Sequence, residues 1–246
     1  MRSIFIFMDY QIHHEKLSER VFQVLRKVLV TSGLYLFLIF IIIGLLYLIA
    51  FSSLLGSLEQ LTLISNNQEA LENLIISKTS EISILNVFFT VIMHFFLVGV
   101  FGMIEKSNYS PIISLGSAFK AVFSKKGLIS LNIIIITQLL SSGLSYLLNT
   151  LGLPMVGFAL SILIQFLTFF AIPAVFIQKT GVTKSLLTSI NIVNNKPGTI
   201  FSFVIMTYLL SLSGILFFGI GLLFTLPLNY IVSYVLFEHI HQQIKN

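Results

Sequence analysis

Long uncharged apolar runs alternate with short charged stretches along the whole chain. Val28–Leu58, Ile82–Ile104, Gly127–Gln178 and Pro197–Phe237 contain no Lys, Arg, Asp or Glu. A helix needs about 20 apolar residues to cross the hydrocarbon of a bilayer, so the two shorter runs hold one crossing each and the two longer ones a hairpin each. Asn149-Thr-Leu-Gly-Leu-Pro154 divides the third run with loop-forming residues. Gly219-Ile-Gly221 divides the fourth, where a tight reversal needs backbone freedom. The pattern predicts one transmembrane domain over 1–246, with six crossings at about 28–54, 82–104, 128–148, 155–177, 199–218 and 222–237.

The charged stretches have a pattern of their own. In the arm 1–27, Leu17, Val21, Val24 and Leu25 share one helical face opposite the charges, as in an interfacial helix. Leu17, Val21, Val24 and Lys27 match Leu115, Phe119, Val122 and Lys125, and again Leu186, Ile190, Val193 and Lys196. Each set ends in a cation just before a crossing, and Lys126-Gly127 and Pro197-Gly198 add a shared turn signal. The expected architecture is an all-α integral membrane protein of three hairpins, with a cytoplasmic amphipathic helix before crossings one, three and five. Chance is the competing explanation of the repeat, since any helix at an interface shows such spacing.

Composition agrees with this reading. The chain is 56% hydrophobic and 9% charged, with a mean hydropathy of +0.99, whereas soluble domains are roughly 25% charged. The absence of cysteine excludes disulfides, thiolate metal sites and Cys nucleophiles. Met1–Phe7 is too short for a signal-peptide core and is expected to stay attached. Of the 14 Lys and Arg, only Lys78 falls outside the arm, the loops 105–126 and 179–196, and the tail. The positive-inside rule then predicts both termini in the cytoplasm, in agreement with an even number of crossings. The net charge of +5 is spread along one membrane face and gives no support to nucleic-acid binding.

Three segments carry a family resemblance. Ala118-Phe-Lys-Ala-Val-Phe123, Ser185-Leu-Leu-Thr-Ser-Ile-Asn-Ile-Val193 and Gly219-Ile-Gly-Leu-Leu-Phe-Thr-Leu-Pro-Leu-Asn-Tyr230 resemble the membrane domain of glycerophosphodiester phosphodiesterases and related six-helix bacterial inner-membrane proteins. The resemblance implies a cytoplasmic helix before each hairpin and a Gly-x-Gly turn, then a Pro, opening the last crossing. The phosphodiesterases keep catalysis in a separate soluble barrel, to which nothing in this chain corresponds, so no catalytic residue carries over.

Few residues offer chemistry. His94 lies midway along the second crossing, where an ionisable group raises a functional hypothesis by default. With Gln138 and Gln165 from neighbouring crossings it would line a polar path; a neutral His bonded to a neighbouring helix is the simpler alternative. Glu238, His239 and His241 at one terminus and His13, His14 and Glu15 at the other draw a metal site only if the fold makes them converge, and none is expected. Ser141, Ser142, Gly143 and Ser145, with Ser211, Ser213 and Gly214, suit close helix packing better than nucleophilic catalysis, because no carboxylate lies within a crossing. Pro173 is placed to kink the fourth crossing, Asn108-Tyr-Ser110 is a sequon on the wrong side for glycosylation, and the acidic segment 57–81 reads as a solvated loop. Arg26, Lys27, Lys120, Lys125, Lys126 and Lys196 are the expected contacts for anionic lipid heads, worth about 1 kcal/mol each near the surface.

These features lead to the expectation of a non-enzymatic multi-pass protein of a bacterial inner membrane that organises lipid or a partner protein at its cytoplasmic face. No cofactor, metal or catalytic residue enters that reading. Its partners are membrane lipids, with a protein partner or a second copy as further possibilities. A small transporter or permease-like subunit using the path near His94 is the alternative, and a lipid-acting enzyme built on Glu238, His239 and His241 is the third.

Overall fold

The computed structural model describes residues 10–56, 68–217 and 221–245, all helix, turn or connection with no strand among them. Helix α1 spans His14–Leu55 and α2 Gln68–Ser77; α3 runs from Thr79 to Ser107. The short α4, Leu115–Val122, leads into α5, Lys125–Thr150. Helices α6, Pro154–Leu167, and α7, Ala171–Gln178, follow. Then come α8, Val182–Asn195, and α9, Pro197–Leu212, which tightens into a 3-10 turn over Ser213–Phe217. Helix α10, Leu222–Lys245, ends the described chain. Residues 1–9 of the expected arm, the whole segment 57–67, and Gly219 and Ile220 of the expected turn lie outside the described residues.

Five helical stretches are long and apolar enough to cross a membrane: His14–Leu55, Thr79–Ser107, Lys125–Thr150, Pro154–Gln178 and Pro197–Ile215. Neighbours run antiparallel. Tyr35 and Tyr47 of α1 donate to the Phe96 carbonyl and Asn86 Oδ1 of α3, at 2.7 and 2.8 Å. Ser161 of α6 donates to the Ser141 carbonyl of α5 at 3.1 Å, and Thr207 and Ser211 of α9 meet Asn229 and Thr225 of α10. Small and hydroxyl residues seal these hairpins, because apolar side chains gain little by leaving lipid for one another.

Helix α10 covers the stretch where the sixth crossing was expected, and its second half is largely enclosed. Ile231, Tyr234, Val235, Leu236, Phe237 and Ile240 are all buried, against α1, α3, α7 and α9. A helix surrounded by protein does not need the unbroken apolar surface of one facing lipid, which explains how α10 holds Thr225, Asn229 and Ser233.

Two expected boundaries differ. The arm is not a separate helix: α1 runs through residues 27 and 28 without a break, since no Pro or Gly interrupts residues 14–32 and the buried stripe Leu17, Val24, Val28, Leu36 continues across. The fourth crossing, expected whole over 155–177, is instead two pieces, α6 and α7, parted at Thr168–Phe170. Pro173 supplies the reason: it has no N–H to donate and its ring excludes the carbonyl four residues earlier, at Phe169. The buried Ser189 of α8 closes the gap, donating to the Leu167 carbonyl at 2.7 Å and accepting from the Phe170 N–H at 3.0 Å. Groups freed by a broken helix need such a partner where water is scarce.

Candidate functional site

One end of the bundle collects the start of α1, the α3–α5 connection, α8 and the end of α10. Contacts between distant residues show it: Arg20 pairs with Glu238 at 3.1 Å and donates to Asn108 Oδ1 at 2.6 Å. Lys27 donates to the Ser107 carbonyl at 3.0 Å, and Gln178 meets His241 at 3.0 Å. Among the described residues, the loops and chain ends that hold the Lys and Arg other than Lys78 thus lie together, while Lys78 pairs locally with Glu81 beside the start of α3.

Within that end, α4 folds back against the last turns of α3 and leaves a cleft of about 560 Å³ between them and the start of α5. Its seat is tight. A Cβ on Gly102 would lie 2.0 Å from that of Ala121, and one on Gly127 would lie 1.8 Å from the Val122 carbonyl oxygen. Ser124 holds the α4–α5 corner, accepting from the Gly127 N–H at 3.2 Å and donating to the Ala121 carbonyl at 2.6 Å. Lysines 106, 120, 125 and 126 line the cleft beside Glu105 and Phe176.

Lys126 differs from the others. Its ammonium donates to Glu105 at 2.5 Å and to the Phe176 carbonyl at 3.2 Å, and sits 5.4 Å from the centre of the Phe176 ring. It borders the cleft but is already engaged, joining α3, α5 and α7. Among the described residues, Lys106, Lys120 and Lys125 have no ion pair or hydrogen bond from their side chains. The cleft therefore holds three uncompensated cations over a braced floor.

The other cations expected at lipid heads have different places. Arg26 is exposed on α1, and Lys27 caps the end of α3 through Ser107. Lys196 turns onto Tyr10, donating to its carbonyl and standing 5.0 Å from the ring centre. Tyr10 is buried and donates its hydroxyl to the Ile192 carbonyl at 3.1 Å, and burial pushes its phenol up to about 12. Lys106, which the crossing pattern did not single out, belongs with Lys120 and Lys125. Its position one residue after Glu105, at the end of an apolar run, was the available signal.

His94, Gln138 and Gln165 do not come together. His94 is exposed on the outer side of α3, with Nδ1 2.8 Å from the Thr90 carbonyl of its own helix. It borders a groove between α1 and α3 beside Tyr47, Asn86 and Met93. Gln138 donates to Ser142 on its own helix at 3.0 Å, and Gln165 is exposed on α6. At the termini, His13 and His239 do meet, with ring centres 5.9 Å apart, whereas His241 stacks on Phe237 and bonds Gln178. Among the described residues no three His, Cys, Asp or Glu side chains converge as a metal site would require.

No family model, characterised protein or solved structure matches the chain, and nothing in these comparisons links it to glycerophosphodiester phosphodiesterase membrane domains.

Proposed function

We propose that this is a non-catalytic, six-crossing protein of a bacterial cytoplasmic membrane that binds anionic lipid at its cytoplasmic face. The observation that carries the reading is the cleft at the cation-rich end, where Lys106, Lys120 and Lys125 surround one cavity whose carboxylate, Glu105, is already paired with Lys126. The gathering of the basic loops and both chain ends on one side supports the orientation, because basic loops are retained in the cytoplasm. Helix α10, antiparallel to α9 and enclosed by the bundle, supports the sixth crossing. The likeness of residues 118–123, 185–193 and 219–230 to the phosphodiesterase membrane domain supports a bacterial setting and a membrane module without its barrel.

Lipid retention tests the proposal. Purified in mild detergent from a mixed membrane, the wild-type protein is expected to keep anionic lipid in preference to zwitterionic lipid, as read by native mass spectrometry. The double variant Lys120→Glu/Lys125→Glu should lose that preference without a change in size-exclusion profile. Equal retention of anionic lipid by the two proteins would sink the reading.

A further inference from the structure

The cleft has features that narrow its ligand. Three free ammonium groups, on the end of α3, the last turn of α4 and the first turn of α5, border one cavity. Like charges so grouped repel unless an anion sits among them. A phosphodiester head carries one negative charge, whereas a phosphomonoester carries about −1.5 to −2 at pH 7 with three acceptor oxygens. Three lysine point charges match the second better than the first. Lysine also accepts the tetrahedral oxygens without the fixed planar geometry an arginine imposes.

Position narrows it further. Exposed apolar surface lies near the cleft: Tyr109, on the cleft, is 80% exposed, Phe123, next to the lining Ser124, is 65% exposed, and Ile112, two residues before the lining Ser114, is 75% exposed. A charged floor under an apolar rim suits an amphiphile, whose head enters the cleft while its chains stay with the rim. Free phosphate would leave that rim in water.

We propose that the cleft between the end of α3, α4 and the start of α5 binds a membrane-borne phosphomonoester, the head of a phosphatidic-acid-type lipid. This rests on the anionic-lipid reading and adds the chemistry of the head. The braced seat of α4 fixes the backbone positions from which the three lysines reach the cleft, so selection comes from charge placement rather than from closure of a loop.

The test uses the full-length protein in nanodiscs containing equal mole fractions of phosphatidic acid, phosphatidylglycerol and phosphatidylcholine, with native mass spectrometry of the retained lipid. Phosphatidic acid should be enriched about tenfold over phosphatidylglycerol at pH 7, the ratio expected for one further charge against three lysines. Lys120→Gln/Lys125→Gln should abolish the enrichment, Lys120→Arg/Lys125→Arg should keep most of it, and Lys184→Gln should leave it unchanged. A matching thermal melt for all variants shows that folding is not the cause. Equal retention of the two anionic lipids overturns the phosphomonoester and leaves the general lipid reading standing. Equal retention of phosphatidylcholine as well overturns both. Displacement of the lipid by millimolar inorganic phosphate, where equal ionic strength of chloride has no effect, assigns the site to a soluble phosphate and overturns the lipid.

Discussion

Helices α4 and α8 lie at the same end of the bundle, each just before a crossing, and their sequences share apolar spacing followed by lysine. They are built for opposite purposes. In α4 the buried residues are Ala118 and Val122, packed on α3, and Lys120 and Lys125 are left open to the cleft. In α8 the buried set is Ser185, Ser189, Ile192 and Val193, with Ser189 bonded into the break of the fourth crossing. Its terminal cation, Lys196, is held by Tyr10. One element displays its charge and the other consumes it, so a shared pattern of apolar positions and cations locates a helix at the interface without saying whether its charge is free. Availability depends on what the neighbouring chain brings.

The sharpest way to break this comparison is at the turn each helix makes into its crossing. Gly127 and Gly198 occupy matching places, yet a Cβ on Gly127 would fall 1.8 Å from the Val122 carbonyl oxygen and one on Gly198 would meet nothing within 4 Å. Backbone cannot move aside as a flexible side-chain tip can. Gly127→Ala should therefore destabilise the protein by about 3 kcal/mol or more and disturb the cleft, at the upper end of the range for overpacking. Gly198→Ala should be close to neutral. Melting temperatures in one detergent decide it; equal shifts would mean that the two corners are not built differently.

A smaller effect is expected at the matched buried positions Ala118 and Ser189. Ser189→Ala leaves the Leu167 carbonyl and the Phe170 N–H without their partner, each lost bond to a buried group being worth about 1–3 kcal/mol. Hydrogen exchange at Phe170 should rise together with a drop in melting temperature. Ser189→Cys restores volume but bonds weakly, and should recover little. Protection at Phe170 unchanged in the alanine variant would show that the break is satisfied some other way, and α8 would then be a surface helix like α4.

The same two positions explain what could be read from the chain alone. Runs free of charge marked the crossings in α1, α3 and α5 because lipid imposes a composition that solvent does not. The corner Asn149–Pro154 was legible for a similarly local reason: Gly152 takes a positive φ of 76° and Pro154 opens α6. Pro173 announced trouble in the fourth crossing, but only the fold shows that the helix parts completely and that a serine from α8 closes it. Leu186, Ile190 and Val193 were the expected apolar face of α8; Val193 is buried and Leu186 packs partly against the core, but the fully buried set also takes in Ser185 and Ser189, because the broken crossing needs a hydroxyl there. The cations of the cleft were visible as cations. That Glu105 takes Lys126 and leaves the other three was not, since charge alone does not say which partners meet. His94 reads from the chain as a polar-path residue or as a simple hydrogen bond to a neighbouring helix; its ring instead bonds the Thr90 carbonyl of its own helix, a contact that depth in a sequence run does not reveal.

The smallest expected effect concerns the strap of residues 10–13, which covers Lys196 after α8 and, among the described residues, has no counterpart over α4. Gln11 exchanges hydrogen bonds with Gln243 at 2.7 and 2.6 Å, and the His13 N–H donates to His239 Nε2 at 3.4 Å. Gln243 Nε2 lies 2.9 Å from that same ring nitrogen, which must stay unprotonated to accept from both. Partial burial holds His239 below the ordinary imidazole value, and the charges of His13 and Lys16 act in the same direction, against the Gln11 backbone. A group whose folded pKa is depressed stabilises the fold above its unfolded value and loses that contribution as pH falls through the folded one. The strap should therefore be fully closed above about pH 6.5 and loosen progressively below it. Limited proteolysis near Gln11 reads this directly: cleavage should rise on acidification in the wild type and be much less pH-dependent in His239→Gln. A cysteine placed at Lys196 should gain reactivity relative to one at Lys120 over the same interval as Tyr10 lifts away, the ratio cancelling the fall in thiolate that both share. If acid leaves both cleavage and that ratio unchanged, the strap does not depend on His239.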